Sequence, residues 1–235
     1  MTPMDINLYY QEKGAGEPFV LLHGNGEDGT YFQHQIAYFS RQYRVIAVDT
    51  RGHGKSPRGT APFTMDQFAE DLKGLMDQLG IESAILLGFS DGANIGMKFA
   101  LRYPERVRAL ILNGGNLDSR GIKSTVQVPI EIGYRIAKLF SGKSEEARRN
   151  MEILGLMVHE PNIPARELGG IRARTLVIAG TRDMVKEGHT REIAESIPGA
   201  KLVIVPGDHF IAGKEPERFN REVEDFLGAL PKESK

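Results

Sequence analysis

Apolar residues occur along this chain in two alternating patterns. Short apolar runs have the length of buried strands and are too short for helices. Between them lie amphipathic stretches, the clearest at residues 65–79, where apolar residues recur at helical spacing between a capping Thr64 and a terminating Gly80. Strands are predicted at residues 5–13, 19–22, 43–48, 84–89, 107–113, 175–180 and 201–205. Further helices are predicted at 31–39, 93–102, 190–196 and 215–230.

Repeated alternation of strand and helix is typical of an α/β fold, with a mostly parallel central sheet covered by helices on both faces. The alternation stops after residue 115, and residues 116–168 contain two helical stretches, 128–140 and 144–158, without a clear strand. We therefore predict a core domain formed by residues 1–115 and 169–235. Residues 116–168 are predicted to form a helical lid inserted into it.

Composition narrows the functional classes. The 235 residues carry a formal net charge of −1, which gives no electrostatic reason to expect nucleic acid or an anionic membrane as a partner. The absence of cysteine excludes disulfides, thiolate catalysis and thiolate metal sites. Neither a basic region followed by an apolar core nor an apolar run of ~18 residues is present, so we expect a cytoplasmic protein without a signal peptide or membrane span.

One serine stands at a junction between a predicted strand and a predicted helix. Ser90 lies within Gly88-Phe-Ser-Asp-Gly92, the G-x-S-x-G pattern in which a serine occupies a sharp, strained turn and exposes its hydroxyl. A side chain at either glycine would collide across so tight a turn. The helix that follows directs unpaired N–H groups and its positive end toward the serine, favouring negative charge there.

A serine hydroxyl needs a base to remove its proton, and the base needs a third group to hold its tautomer. On this architecture the chain order is Ser, then Asp or Glu, then His. Asp183 and His209 satisfy it, each in a loop just after a predicted strand, where ligands bind in open α/β sheets. Asp118 is the rival acid, because it also follows a strand.

The other histidines fit the pattern less well. His34, His159 and His189 fall in or beside predicted helices and are expected on the surface. His23 and His53 lie in loops, where a structural role is expected.

With its early His23-Gly24 loop, its Asp49–Ser56 loop, the elbow, the lid, and the acid and histidine loops, the whole chain resembles the α/β-hydrolase fold family. The resemblance implies Ser90 as nucleophile, His209 as general base and acid, and Asp183 as the residue that orients it. It also implies an oxyanion hole formed by the backbone N–H groups of Asn25 and Asp91. It implies no metal and no cofactor.

The nucleophile indicates the reaction. A serine disfavours the dehalogenase and epoxide hydrolase chemistry for which this family uses aspartate. It favours a small-molecule ester, lactone or thioester substrate cleaved through an acyl-serine intermediate, and less often carbon–carbon cleavage. The Ser90-Asp91 pair resembles aminoacyl-ester hydrolases of this fold, in which the carboxylate holds a substrate ammonium; Asp91 could equally be a helix-capping carboxylate.

The lid offers apolar side chains that would either line an acyl pocket or pack the lid onto the sheet: Tyr134, Ile136, Leu139, Phe140, Met151, Leu154 and Met157.

Two other functions fit parts of the sequence. A ligand-binding or signalling protein of the same fold could keep the triad for slow turnover. Residues 24–29 also match G-x-G-x-x-G after a strand, with Asp49 about twenty residues on, as in dinucleotide-dependent oxidoreductases. Two points count against a dinucleotide site. Glu27 and Asp28 would repel a pyrophosphate, and the occurrence of Ser90, Asp183 and His209 in this order would be a coincidence.

Overall fold

The computed structural model describes residues 5–230, and its centre is a seven-stranded sheet. The strands are β1 (Tyr10–Lys13), β2 (Glu17–Leu22), β3 (Tyr43–Val48), β4 (Ala84–Phe89), β5 (Val107–Asn113), β6 (Arg174–Gly180) and β7 (Lys201–Val205). Their order is β1-β3-β2-β4-β5-β6-β7, and β1 pairs antiparallel with β3 while all other pairs are parallel. The predicted mostly parallel sheet is confirmed.

Alternate side chains of the strands feed two separate hydrophobic cores, one on each face of the sheet. On β4, Leu86 belongs to the first core, and Ile85 and Leu87 belong to the second. The helices that cover the first face are α2 (Met65–Gln78), α3 (Asp91–Arg102) and α6 (Glu187–Ser196); those on the second are α1 (Gln33–Phe39), α7 (Ile211–Lys214) and α8 (Pro216–Gly228). Because both faces are covered, the central strands are continuous apolar runs.

Two helices lie between β5 and β6 in the chain and pack against each other: α4 (Ser124–Phe140) and α5 (Glu145–His159). The division into a core and a lid at residues 116–168 stays a prediction. No helix in the described part of the chain has the length and apolar character needed to cross a membrane.

The structure corrects three predicted boundaries. The first strand was predicted over residues 5–13, but it covers only Tyr10–Lys13, because the Tyr9 N–H donates to the Ser56 hydroxyl instead of to a strand. The helix predicted from 128 begins at Ser124, so Pro129 lies inside it. The helix predicted over 215–230 spans Pro216–Gly228 as α8, and the short helix α7, just before it, was not predicted.

A buried ion pair joins α2 to the loop after β3. Arg51 is fully buried, and its guanidinium donates two hydrogen bonds of 2.7 and 2.6 Å to the Asp71 carboxylate. Arg51 also donates to the partly exposed Asp5 carboxylate at 2.7 and 3.1 Å and to the Arg58 carbonyl at 3.0 Å. Removing Asp71 would take away the buried partner of this guanidinium, and breaking a buried pair in this way is strongly destabilising.

We therefore expect Asp71→Ala to lower the free energy of unfolding by about 3 kcal/mol in chemical denaturation. Asp66→Ala is the matched control on the same helix, because that carboxylate is mostly exposed in its pair with Lys98; a loss of about 1 kcal/mol or less is expected there. Equal losses in the two variants would show that the buried pair contributes no more than a surface pair.

Candidate active site

Ser90 occupies the sharp turn between β4 and α3. Its backbone angles are φ 53° and ψ −117°, a strained conformation for a residue with a side chain, of the kind that clusters at active sites. The turn is held by the Ser90 N–H, which donates to the Asn113 carbonyl at 2.8 Å. A Cβ at Gly92 would lie 1.9 Å from the Leu22 carbonyl oxygen, and one at Gly88 would lie 2.2 Å from the Gly92 oxygen. The predicted steric need for both glycines is confirmed.

The loops after β6 and β7 bring Asp183 and His209 together. His209 Nδ1 lies 2.7 Å from Asp183 Oδ1, and the two residues are only 5% and 3% exposed. Asp183 Oδ1 also accepts from the Val185 N–H at 2.9 Å, which fixes the carboxylate in its loop. With the Nδ1 proton donated to the carboxylate, the ring presents Nε2 as its proton acceptor.

His209 also packs against the serine turn. Its ring centroid is 4.8 Å from that of Phe89, the residue before Ser90. The Nε2 atom is buried and has no hydrogen-bond partner within residues 5–230, so no hydrogen bond joins it to the Ser90 hydroxyl. Catalytic hydrogen bonds often form only in the substrate complex. The structure therefore supplies a buried, unpaired acceptor beside the serine turn, and the three-residue triad stays a prediction.

The rival acid, Asp118, has another partner. Its carboxylate accepts from the Arg120 backbone N–H at 2.8 Å and forms an ion pair with the Arg120 guanidinium at 2.6 Å. The hydrogen bond to this guanidinium lowers the pKa of Asp118. Geometry thus pairs His209 with Asp183 and commits Asp118 to a surface turn.

The predicted oxyanion residues lie at the ends of adjacent strands. Leu22 of β2 pairs with Gly88 of β4, so the loop that carries Asn25 runs beside the turn that carries Asp91. Across residues 5–230, neither backbone N–H donates a hydrogen bond to an acceptor. The Asn25 side chain donates to Asp91 Oδ2 at 2.8 Å, a contact that no sequence pattern predicted.

Two carboxyl groups beside the serine turn have raised pKa values. Burial raises the pKa of Asp91, which is 8% exposed, to about 6, although a hydrogen bond from Asn25 and electrostatic attraction to the nearby His209 oppose the shift. Burial also raises the pKa of Glu27 to about 7, although a hydrogen bond from the Gly24 N–H and electrostatic attraction to the same histidine oppose it. Neither carboxylate has an ion-pair partner in the part of the chain that the structure describes. From the sequence, Glu27 was considered only because its charge would repel a pyrophosphate. The motif does not show that its side chain is largely buried.

Carboxylates of the protein already accept hydrogen bonds from the N–H groups of the dinucleotide-like loop, residues 24–29. Glu27 Oε2 accepts from the Gly24 N–H at 3.3 Å, and Asp49 Oδ1 accepts from the Gly29 N–H at 2.8 Å. The second Asp49 oxygen accepts from the Lys55 N–H at 2.8 Å. Because these carboxylates take N–H groups that a pyrophosphate needs, the loop does not fit a dinucleotide.

The expectation that the apolar lid side chains line a pocket or pack onto the sheet is wrong in part. Ile136, Leu139 and Phe140 are exposed, so they neither line a pocket nor pack the lid onto the sheet. The remaining four lid candidates, Tyr134, Met151, Leu154 and Met157, are half-buried.

Among the histidines, His189 is not a surface residue. Its Nε2 accepts from the Leu117 N–H at 2.9 Å. His23 and His53 pack against each other, with ring centroids 5.3 Å apart, and His23 Nε2 accepts from the Thr50 N–H at 3.0 Å.

Residues 5–230 contain no group of three or more His, Asp and Glu residues that could hold a metal ion.

Comparisons with known proteins place the chain in a family. A family model of the alpha/beta hydrolase fold matches residues 17–150. A 2-hydroxy-6-oxononadienedioate/2-hydroxy-6-oxononatrienedioate hydrolase of Paraburkholderia phymatum is 35% identical over 95% of this chain and 92% of its own.

Solved structures of hydrolases also match the chain over nearly its whole length. The enol-lactonase of Burkholderia xenovorans superposes with a TM-score of 0.76 at 27% identity, covering 95% of this chain and 97% of its own. A thermophilic esterase from Thermogutta terrifontis superposes with a TM-score of 0.78 at 25% identity, covering 97% and 95%. Hydrolases of this family act on small molecules. The chain belongs to the α/β-hydrolase fold family.

Proposed function

We propose that this α/β hydrolase cleaves small carboxylic esters or lactones through an acyl-serine intermediate at Ser90. The observation that carries the proposal is the buried Asp183–His209 pair, with its free Nε2, packed against a strained serine turn. This arrangement supplies a nucleophile, a base and a group that orients the base. The lactonase and esterase similarities support the same substrate class.

Each residue has a defined role in this mechanism. His209 Nε2 takes the Ser90 proton as Oγ attacks the substrate carbonyl, and the oxyanion forms beside the backbone N–H groups of Asn25 and Asp91. His209 then gives its proton to the leaving alcohol or alkoxide. A water molecule activated by the same nitrogen attacks the acyl group and frees Ser90. Asp183 holds the ring and stabilises the imidazolium.

Electrostatics narrows the substrate class further. Asp91 and Glu27 bring two carboxyl groups to the site without a cation to compensate them among the described residues. A doubly acidic substrate, such as the one named for the Paraburkholderia phymatum relative, would be repelled by their ionised forms. Neutral esters and aminoacyl esters fit the site better. In an aminoacyl ester, the ammonium would pair with Asp91.

Catalysis at Ser90 predicts a burst followed by steady turnover with a nitrophenyl ester in excess. Ser90→Ala should lower kcat by up to ~10⁶-fold, by analogy with serine proteases. A single burst without turnover would favour the slow ligand-binding alternative. Full activity in the variant would place the nucleophile elsewhere.

The assignment of the acid predicts that Asp183→Asn lowers kcat/KM by ~10⁴-fold, as in serine proteases, because an amide stabilises the wrong histidine tautomer. Asp118→Asn is the matched control, since within residues 5–230 the hydrogen bonds of its carboxylate are all with Arg120. Activity there should stay close to that of the wild type. The reverse ranking would transfer the role to Asp118.

The Asp91 hypothesis predicts a pH-dependent preference. The kcat/KM ratio of an aminoacyl ester to its neutral analogue should rise as pH increases through about 6, where the Asp91 carboxyl ionises. A ratio cancels effects of His209 that both substrates share. Asp91→Asn should lower the ratio at pH 7 by about 10- to 100-fold, the value of a hydrogen bond between charged groups. Equal losses on both esters would leave Asp91 with a capping role.

A further inference from the structure

One side-chain amide joins the oxyanion loop to two other parts of the molecule. Asn25 Nδ2 donates to Asp91 Oδ2 at 2.8 Å and to the Ile153 carbonyl of α5 at 3.0 Å. An amide NH₂ group has two N–H donors, so both are used. The amide therefore connects the residue after the nucleophile with the middle of a lid helix.

The contact extends to the chain segment that enters the lid. Asp91 Oδ1 lies 3.5 Å from Asn94 Nδ2, which donates to Asn116 Oδ1 at 3.0 Å. The Asn116 backbone N–H donates in return to Asn94 Oδ1 at 2.9 Å. Asn94, Asp91 and Asn116 are all buried. The Asp91 carboxylate is thus linked to α5 on one side and to the start of the predicted lid on the other.

An ion pair also holds α5 at Glu152, the residue before Ile153. Arg58 donates to both Glu152 carboxylate oxygens at 2.8 Å. If α5 moved away, Asn25 would lose one of its two acceptors. Asn25 is half-buried, and a hydrogen bond of this kind contributes about 0.5–1.5 kcal/mol, so the positions of α5 and the Asn25 loop are energetically coupled.

We propose that Asn25 is a positioning residue whose side chain couples the docking of α5 to the spacing of the Asn25 and Asp91 backbone N–H groups. This inference rests on the proposed function, in which these N–H groups stabilise the oxyanion. Since the oxyanion exists only after attack, a misplaced donor lowers kcat more than it changes KM.

Asn25→Ala should lower kcat on a neutral nitrophenyl ester by ~10²-fold, the effect of about 1 Å of misplacement, with little change in KM. Hydrogen exchange measured by mass spectrometry should become faster in residues 145–159 of the same variant. Asn7→Ala is the matched control, because Asn7 is exposed and its side chain has one hydrogen bond within residues 5–230, from Gln78. Neither measurement should change there.

A double variant separates the two arms of the contact. Asn25→Asp places two carboxylates against each other, and adding Asp91→Asn restores that hydrogen bond with the partners exchanged. The lid contact stays lost, because a carboxylate cannot donate to the Ile153 carbonyl. Exchange in 145–159 should stay fast in the double variant, and kcat should recover only in part.

A loss of kcat without faster exchange, or faster exchange without a loss of kcat, would overturn the coupling. If the wild type hydrolyses no ester, the proposed function fails instead. The exchange measurement then still tests the contact itself.

A different observation concerns the outer face of α4. Of the six large hydrophobic side chains exposed within residues 5–230, five lie on this helix, and Leu139 is 80% exposed. We call these five residues the α4 stripe: Val128, Ile132, Ile136, Leu139 and Phe140. Their spacing puts them on one side of the helix. A concentrated exposed apolar face marks an interaction surface.

The charges beside the stripe favour a second copy of the chain as its partner. Glu131, Arg135 and Lys138 lie along one edge of the stripe at helical spacing. If two α4 helices pack antiparallel around Tyr134, Ile132 faces Ile136 of the other copy. Glu131 then lies between Arg135 and Lys138 of the other copy. An anionic lipid surface would attract Arg135 and Lys138, but it would offer Glu131 no cation, whereas a second copy pairs all three charges.

We infer that two copies associate through the α4 stripe about a two-fold axis, with α4 antiparallel to its counterpart. Such an isologous contact buries the same apolar patch on both copies. The local partners of these charges are compatible with it. Glu131 accepts from Gln127 at 3.3 Å on its own helix, and Lys138 lies 6.0 Å from the Tyr134 ring.

Sedimentation velocity over a dilution series tests the association. The wild type should be a dimer at high concentration, and Ile136→Glu should be a monomer. Ala37→Glu, on the exposed side of α1, is the control and should leave the dimer intact. Circular dichroism of each variant shows that the fold is kept.

Charge exchange tests the geometry. Glu131→Lys should weaken the dimer, as should the double variant Arg135→Glu with Lys138→Glu, and combining all three changes should restore it. A monomeric wild type, or a triple variant no stronger than Glu131→Lys, would overturn the inference. Binding of the monomer to phosphatidylglycerol vesicles would overturn it in favour of a lipid surface.

Discussion

The site depends on how closely the start of α3 approaches the end of β2. There is no room for a side chain at Gly92, whose Cβ would lie 1.9 Å from the Leu22 carbonyl oxygen. This approach forces Ser90 into its strained turn and brings the Asn25 loop beside Asp91. Strain of this kind costs of order 1–3 kcal/mol and persists only where surrounding packing enforces it. Here the paired strands β2 and β4 and the buried face of α3 supply that packing.

The proposed mechanism also requires that the histidine ring be held in one orientation. Two loops that are distant in the chain meet because β6 and β7 are neighbours in the sheet. Asp183 is held by the Val185 N–H, and its contact with His209 orients the ring. The start of the predicted lid braces the same loop, since Lys123 Nζ donates to the Asp183 carbonyl at 2.6 Å. Asp183 therefore contacts both His209 and the start of the predicted lid.

Much of this could be predicted from the sequence, for physical reasons. Strand and helix periodicities gave the sheet and most helices, and the spacing of Gly88, Ser90 and Gly92 predicted a turn that only glycines permit. Chain order singled out Asp183 and His209, whereas the choice against Asp118 needed the contact with Arg120. The Asn25 contacts and the burial of Glu27 depend on residues far apart in the chain, so no local pattern encodes them. Exposure of the α4 stripe was missed because an amphipathic helix does not show which face is covered.

The most direct test of the central claim is a crystal structure of the protein after reaction with an alkyl phosphonate ester, a mimic of the tetrahedral intermediate. The account predicts a covalent bond from phosphorus to Ser90 Oγ and a phosphoryl oxygen ~2.7–3.1 Å from the backbone nitrogens of Asn25 and Asp91. It also predicts His209 Nε2 within hydrogen-bond distance of Oγ. A phosphonate bound to another residue, or a phosphoryl oxygen that points to solvent with His209 turned away, would contradict it.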